Sequence, residues 1–229
     1  MHNDPQIDCG KIAIRNGVMS SNGDLFTLTI GGRSAHATVP HLGMDAISEG
    51  ARFLSAFKSI MTDKVDPNKT GLISTGLFNA GEASNIIAAK AILQGSIRSF
   101  NMEVQKTLVK EVNALVEESN RVGFDTRIDY QGYPAIINHD EHVRRVVEVA
   151  KTQLAETGLI LDHPPMVGSE DFSYFLQEKP GAFFFLGSGD HARGINNPLH
   201  SNPFVVNEDS IVLGARIFAA LVGVQRVSE

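Results

Sequence analysis

Eight histidines give this 229-residue chain its widest chemical reach, because an imidazole can ligate a metal, move a proton or donate to a developing anion. None of them falls in an HExxH or CxxC spacing, so no local motif announces a metal site and each must be weighed by its surroundings. His200 lies in Pro198-Leu199-His200-Ser201-Asn202-Pro203, a polar loop after an apolar run and before the last helix. Ligands bind in such loops at the carboxyl ends of α/β strands, yet spacing alone favours an ordinary surface histidine. His2 opens the chain, and composition offers nothing against an idle terminus. His36 sits among small residues in Gly32-Arg33-Ser34-Ala35-His36-Ala37, with His41 after Pro40; small neighbours permit close approach of a ligand but are as common in plain turns. His139, His142, His163 and His191 occupy polar segments and read as solvated. Asn85, after Gly81-Glu82-Ala83-Ser84, and Arg98, on an apolar strand pattern, could hold a carboxylate, which the planar guanidinium fork suits. A cross-strand ion pair explains Arg98 equally well. Glu170 lies in Gly168-Ser169-Glu170-Asp171-Phe172, where Ser169 or Asp171 could cap the next helix and Glu170 face its dipole.

Local patterns show what must position these residues. Asp24–Ile30 alternates as a strand ending at Gly31-Gly32. Helical spacing from Asp45 takes in Ile47, Ala51, Leu54, Phe57, Ile60 and Met61, with Asp45 as N-cap. Strands follow at Leu72–Phe78 and Ala91–Phe100, then a helix through Val104, Leu108, Val112 and Val116 closed near Gly123, then a strand at Thr126–Tyr130. The order strand, helix, strand, strand, helix, strand is the ferredoxin-like βαββαβ arrangement, with one sheet face or edge open to a partner. Beyond Tyr133-Pro134 come a helix from Val143 to Leu154, a short helix after Phe172 and an apolar run at Ala182–Leu186 that suits a strand buried on both faces. The final helix is expected to use Ile211, Val212, Ala215, Phe218, Ala219 and Val222. Residues 1–22 and 134–229 thus read as part of an α/β layered domain with a central sheet, and 23–133 as an inserted lid. Lys11–Arg15 is the only clear neighbour for the Ala182–Leu186 strand, which leaves the sheet short of strands.

Composition narrows the partners. The formal charge is −6 with no basic block, which disfavours nucleic acid and anionic membranes. No apolar run approaches the ~20 residues of a membrane span, and the Met1–Pro5 start lacks the features of a secretory signal. The single cysteine, Cys9, excludes an internal disulfide and a Cys-based zinc site within the chain; a cytoplasmic, reducing location is expected.

In order along the chain, these segments resemble the metal-dependent amidohydrolase family of hippurate hydrolase, N-acyl-amino-acid amidohydrolases and indole-acetyl-amino-acid hydrolases. The matching stretches are Met1-His2-Asn3 with Gly10-Lys11-Ile12-Ala13, Gly32–Ala37 with Pro40-His41, Ala80–Ile87, Gly95–Phe100, Gly168–Phe172 and Pro198-Leu199-His200. The resemblance implies an α/β catalytic domain with a ferredoxin-like lid through which two copies pair. It further implies hydrolysis of the amide bond of N-acyl amino acids at a site of two divalent ions (Zn, Mn, Ni or Co). On that resemblance His2 and His200 are metal ligands, His36 stabilises the carbonyl oxygen, and Asn85 and Arg98 hold the substrate carboxylate with Glu170 beside them. The family's remaining ligands, a Cys-Gly-His motif and a Glu-Glu pair containing the general base, precede the residue matched by His2. The expectation is therefore a C-terminal portion, inactive alone and completed by other residues or another chain; the rival reading is a non-catalytic dimerisation module. Ala88 stands where the family has Pro.

Overall fold

The computed structural model describes residues 1–223. In chain order the elements are β1 (His2–Asp8), β2 (Ile12–Ile14), β3 (Gly17–Val18), β4 (Gly23–Gly31), α1 (Ala46–Lys64), β5 (Gly71–Ala80), β6 (Lys90–Ser99), α2 (Met102–Arg121), β7 (Asp125–Tyr133), β8 (Ile137–Asn138), α3 (Asp140–Gln153), β9 (Leu159–Leu161), α4 (Phe172–Glu178), β10 (Phe185–Gly189) and α5 (Asp209–Leu221). They form two compact units. One comprises Met1–Ser20, Ile136–Met166 and Asp171–Glu229, of which 224–229 lie outside the described residues; the other is Ser21–Ala135 with Val167–Glu170. The short Val167–Glu170 segment therefore packs with the second unit, although its place in the sequence assigns it to the first. Among the described residues no helix is long and apolar enough to cross a membrane.

The Ser21–Ala135 unit is a four-stranded sheet in the order β5-β6-β4-β7, antiparallel throughout. That is the ferredoxin-like topology expected from the element order. Period-2 alternation sends Phe26, Leu28 and Ile30 of β4 and Ala91, Leu93 and Ile97 of β6 to one face, where Phe53, Phe57 and Ile60 of α1 and Leu108 and Val112 of α2 close over them. Asp45 caps α1 by accepting from the Ile47 N–H at 2.9 Å, and Asn101 caps α2 by accepting from Glu103 and Val104. The opposite sheet face is polar, with Gln94 donating to Thr27 and Ser74 bonded to Ser96. Asn22, 1% exposed, ties the start of β4 to the end of β6, donating to the Ile97 carbonyl and accepting from the Ser99 N–H.

The other unit is built on a mixed sheet of order β1-β10-β2-β9. The Ala182–Leu186 run is corrected here: the strand occupies Phe185–Gly189, while Phe183 and Phe184 are buried ahead of it. It has neighbours on both sides, parallel β1 and antiparallel β2. β1 was not legible as a strand, since Asn3, Asp4 and Pro5 are poor strand formers; it lies at the sheet edge, where a proline is tolerated, and its register shifts between Asp4 and Asp8. The expected face of α5 is also corrected. Ser210, Gly214 and Ile217 are buried, while Ile211, Val212, Phe218 and Val222 are exposed. α5 packs against α3 and β10, and Gly214 faces the Leu186 side chain, where an added Cβ would come within 2.9 Å. Gly214 admits the strand, while Ile217, Leu213 and Leu221 of the same helix pack into the core around it.

Candidate functional site

His2 is the first residue of β1, fixed by its N–H to the Phe184 carbonyl at 3.2 Å. Its Nδ1 lies 2.7 Å from the Asn3 carbonyl oxygen. A carbonyl only accepts, so in the neutral ring Nδ1 carries the proton and Nε2 keeps its lone pair. That is the tautomer a metal ligand needs, with the other ring nitrogen oriented by a backbone acceptor.

His200 is exposed in the loop between β10 and α5. Ser201 N–H bonds the Pro198 carbonyl at 3.2 Å, closing a turn in which His200 takes φ +64. A positive φ at that turn position favours Gly or Asn, and holding another residue there costs roughly 1–3 kcal/mol. The loop is held alongside β1 by Gln6, whose Nε2 donates to the Asn196 carbonyl at 2.6 Å, and it ends where Asn207 N–H bonds the Ser188 carbonyl at 2.7 Å.

The donor types of this unit fit a divalent transition metal: His2 presents an Nε2 lone pair, and His200 belongs to the same unit. Their number falls short of a complete site. Among the described residues, no group of three or more His, Cys, Asp and Glu side chains is placed to hold an ion.

In the Ser21–Ala135 unit the β4–β6 ladder continues past the strand ends. His36 bridges to Ile86, and Ala37 N–H bonds the Asn85 carbonyl at 2.9 Å. His36 and Asn85 are thus brought to one end of the sheet, both exposed. Around His36 the hydrogen bonds run opposite to those of His2: Thr38 N–H donates to Nδ1 at 3.3 Å, and Thr38 Oγ1 lies 2.8 Å from the same nitrogen. With Nδ1 an acceptor, the neutral ring carries its proton on Nε2 and presents a donor. Thr38 was missed in the sequence, although a hydroxyl two residues after a candidate is a recurring local partner.

Arg98 lies at the other end. Its Nη1 donates to the Val167 carbonyl at 2.9 Å, and the Ser21 hydroxyl donates to the same oxygen at 2.5 Å. This pair secures the Val167–Glu170 segment that carries Glu170. Gly23 permits the approach, since a Cβ there would stand 2.2 Å from Ser169 Oγ. From Lys90 to Arg98 β6 runs about 26 Å at ~3.3 Å per residue, and Asn85 lies beyond Lys90. Within one chain Asn85 and Arg98 therefore stand toward opposite ends of β6. Nor does Asp171 cap α4 with its side chain.

Comparison with known proteins follows these lines. Residues 21–123 match the peptidase dimerisation domain. Eight curated relatives are 28–34% identical over more than nine-tenths of this chain. Among them, N-acetyldiaminopimelate deacetylase of Brevibacillus brevis is 31% identical over 222 residues, 95% of this chain and 56% of its own length. An aminohydrolase-type protein of methicillin-resistant Staphylococcus aureus superposes with a TM-score of 0.85 at 26% identity, covering 98% of this chain and 58% of its own. The YXEP protein of Bacillus subtilis, described as a dinuclear metal-binding peptidase of the M20 family, shares the fold with a TM-score of 0.71 at 20% identity, over 96% of this chain and 55% of its own. Over nearly its whole length the chain is similar to amidohydrolases, deacetylases and peptidases of this kind, and residues 21–123 match the peptidase dimerisation domain of the M20 family. The chain spans about half the length of the curated relatives it matches.

Proposed function

We propose that this chain is part of a metal-dependent hydrolase of the amide bond in N-acyl amino acids. His2 and His200 would serve as metal ligands, His36 as the donor to the carbonyl oxygen, and Asn85 and Arg98, with Glu170 beside Arg98, as contacts to the substrate carboxylate. The observation that carries the reading is the opposite protonation of two imidazoles: Nε2 of His2 offers a lone pair, and Nε2 of His36 offers a proton. A ligand and an electrostatic stabiliser need those two states respectively. A pair of divalent ions, when bound, would polarise the scissile carbonyl and lower the pKa of a bound water.

A homodimer through the Ser21–Ala135 unit belongs to the same proposal. β5 is an edge strand with Leu72, Leu77 and Phe78 partly exposed, and an unpaired edge of this kind invites a second strand. Pairing of two copies also answers the separation along β6, because Asn85 of one and Arg98 of the other could then share a carboxylate. A cytoplasmic setting fits a chain with one unpaired cysteine.

The test is hydrolysis of N-acetyl amino acids by the protein carrying this sequence, with cobalt or zinc supplied and then chelated. Chelator-sensitive turnover that is lost in His2→Ala and His200→Ala is the expected result. Turnover indifferent to chelator and to both substitutions would sink the proposal. One observation favours the rival, a non-catalytic dimerisation module: the described residues bring no three metal-ligating side chains together. A dimer that takes up no metal and cleaves no N-acyl amino acid decides for it.

A further inference from the structure

Residues 190–207 pair with no strand along most of their length, and ordering such a loop costs conformational entropy that explicit anchors must offset. The anchors come largely from one strand. Asp8, the last residue of β1, accepts from the backbone N–H of His191 at 3.0 Å and from its Nδ1 at 2.5 Å, and Lys11 Nζ stands 3.6 Å from its other oxygen. Cys9 N–H bonds the Gly189 carbonyl at 2.8 Å, and Gln6 holds the Asn196 carbonyl at 2.6 Å. Gln6 and Asp8, two apart, leave the strand on the same side. The loop's first turn is itself closed, with Asp190 and Ile195 bridged and Asp190 bonded to Arg193. What Asp8 grips is therefore a rigid knob rather than a slack chain. His200 follows four residues after the last of these anchors.

We infer that β1 is a clasp for the 190–207 loop, with Asp8 and Gln6 as positioning residues for His200. The strand that begins with His2 would then also set where the second histidine stands. The positioning role rests on the reading of His200 as a metal ligand; the clasp itself does not.

The experiment uses the full chain and its Asp8→Ala, Asp8→Asn and Gln6→Ala variants, with hydrogen–deuterium exchange and a cobalt(II) titration read by visible absorption. In Asp8→Ala, exchange of the 190–202 amides should rise at least about tenfold while those of β4, β6 and α2 stay unchanged, the signature of local opening. Cobalt affinity should fall about tenfold, the usual loss when a group supporting a ligand is removed. Asp8→Asn should restore both, since its amide oxygen still accepts from His191. Exchange unaltered in Asp8→Ala would overturn the clasp, and a cobalt loss that Asp8→Asn does not rescue would overturn the positioning role. Should Asp8→Ala fail to fold, Gln6→Ala applies the same test at Asn196. If exchange rises but the unaltered protein takes up no cobalt, the clasp stands and the ligand reading of His200 falls.

Discussion

The two units spend their apolar residues differently. The Ser21–Ala135 unit closes a core from both helices and three strands, and α1 and α2 turn their large apolar side chains toward the sheet. The unit built on β1, β2, β9 and β10 divides its apolar residues between two smaller clusters. Both units leave large apolar side chains exposed, Phe175 at 68% and Ile211 at 67% in this one and Val122 at 65% in the other. In α1 and α2 the hydrophobic period predicts which face is buried; in α5, where apolar residues lie on more than one face, the contact with β10 and α3 decides it.

The sharpest break of this comparison is a pair of substitutions. Phe53→Ala, at a fully buried ring flanked by Phe57, should cost about 3–5 kcal/mol in urea denaturation. Ile211→Ser should stay within about 0.5 kcal/mol. A large effect of Ile211→Ser would show that its surface is covered in the protein as purified. Next in size, Asn22→Ala removes the acceptor of the buried Ser99 N–H and one of the donors to the Ile97 carbonyl, a loss of about 1–3 kcal/mol. Capping separates the units again: Asp45→Ala should destabilise by about 1 kcal/mol, whereas Asp171→Ala should leave thermal stability unchanged because its side chain caps nothing. His200→Gly should be neutral or stabilising by up to about 1 kcal/mol, since glycine takes positive φ without strain, while abolishing any cobalt uptake. A marked loss of stability there would show that the imidazole has a packing role instead.

The smallest effect is a pH window. Asp8 is held down to about 2 from an ordinary 3.8, first by the His191 backbone N–H, then by its ring. A depressed carboxylate contributes fully above its unfolded pKa and loses that contribution as pH falls through the folded one. Exchange protection of the 190–196 amides should therefore persist at pH 4 and fade toward pH 2, as amide NMR would report.

The lid was legible because its signals are local. Alternation in β4 and β6, helical period in α1 and α2 and the Asp45 cap all lie within a few residues of what they specify. β1 was not, since a segment holding Asn, Asp and Pro becomes a strand only when β10 lies beside it. Site residues divide along the same line. His36 and its neighbour Asn85 were nameable from their surrounding motif, yet the proton on Nε2 of His36 depends on Thr38, and the separation of Asn85 from Arg98 appears only once β6 is laid out straight.

The sequence by itself determined the ferredoxin-like order of elements, the identity of the candidate histidines and the negative, single-cysteine character of the chain. Tertiary structure alone decided which face of α5 is buried, where Val167–Glu170 packs, and that Asp8 grips His191 across 183 positions. The physical reason is range. Period and capping act between residues a turn or two apart, whereas a carboxylate's partner and a ring's tautomer are set by whichever atoms folding brings within hydrogen-bond distance.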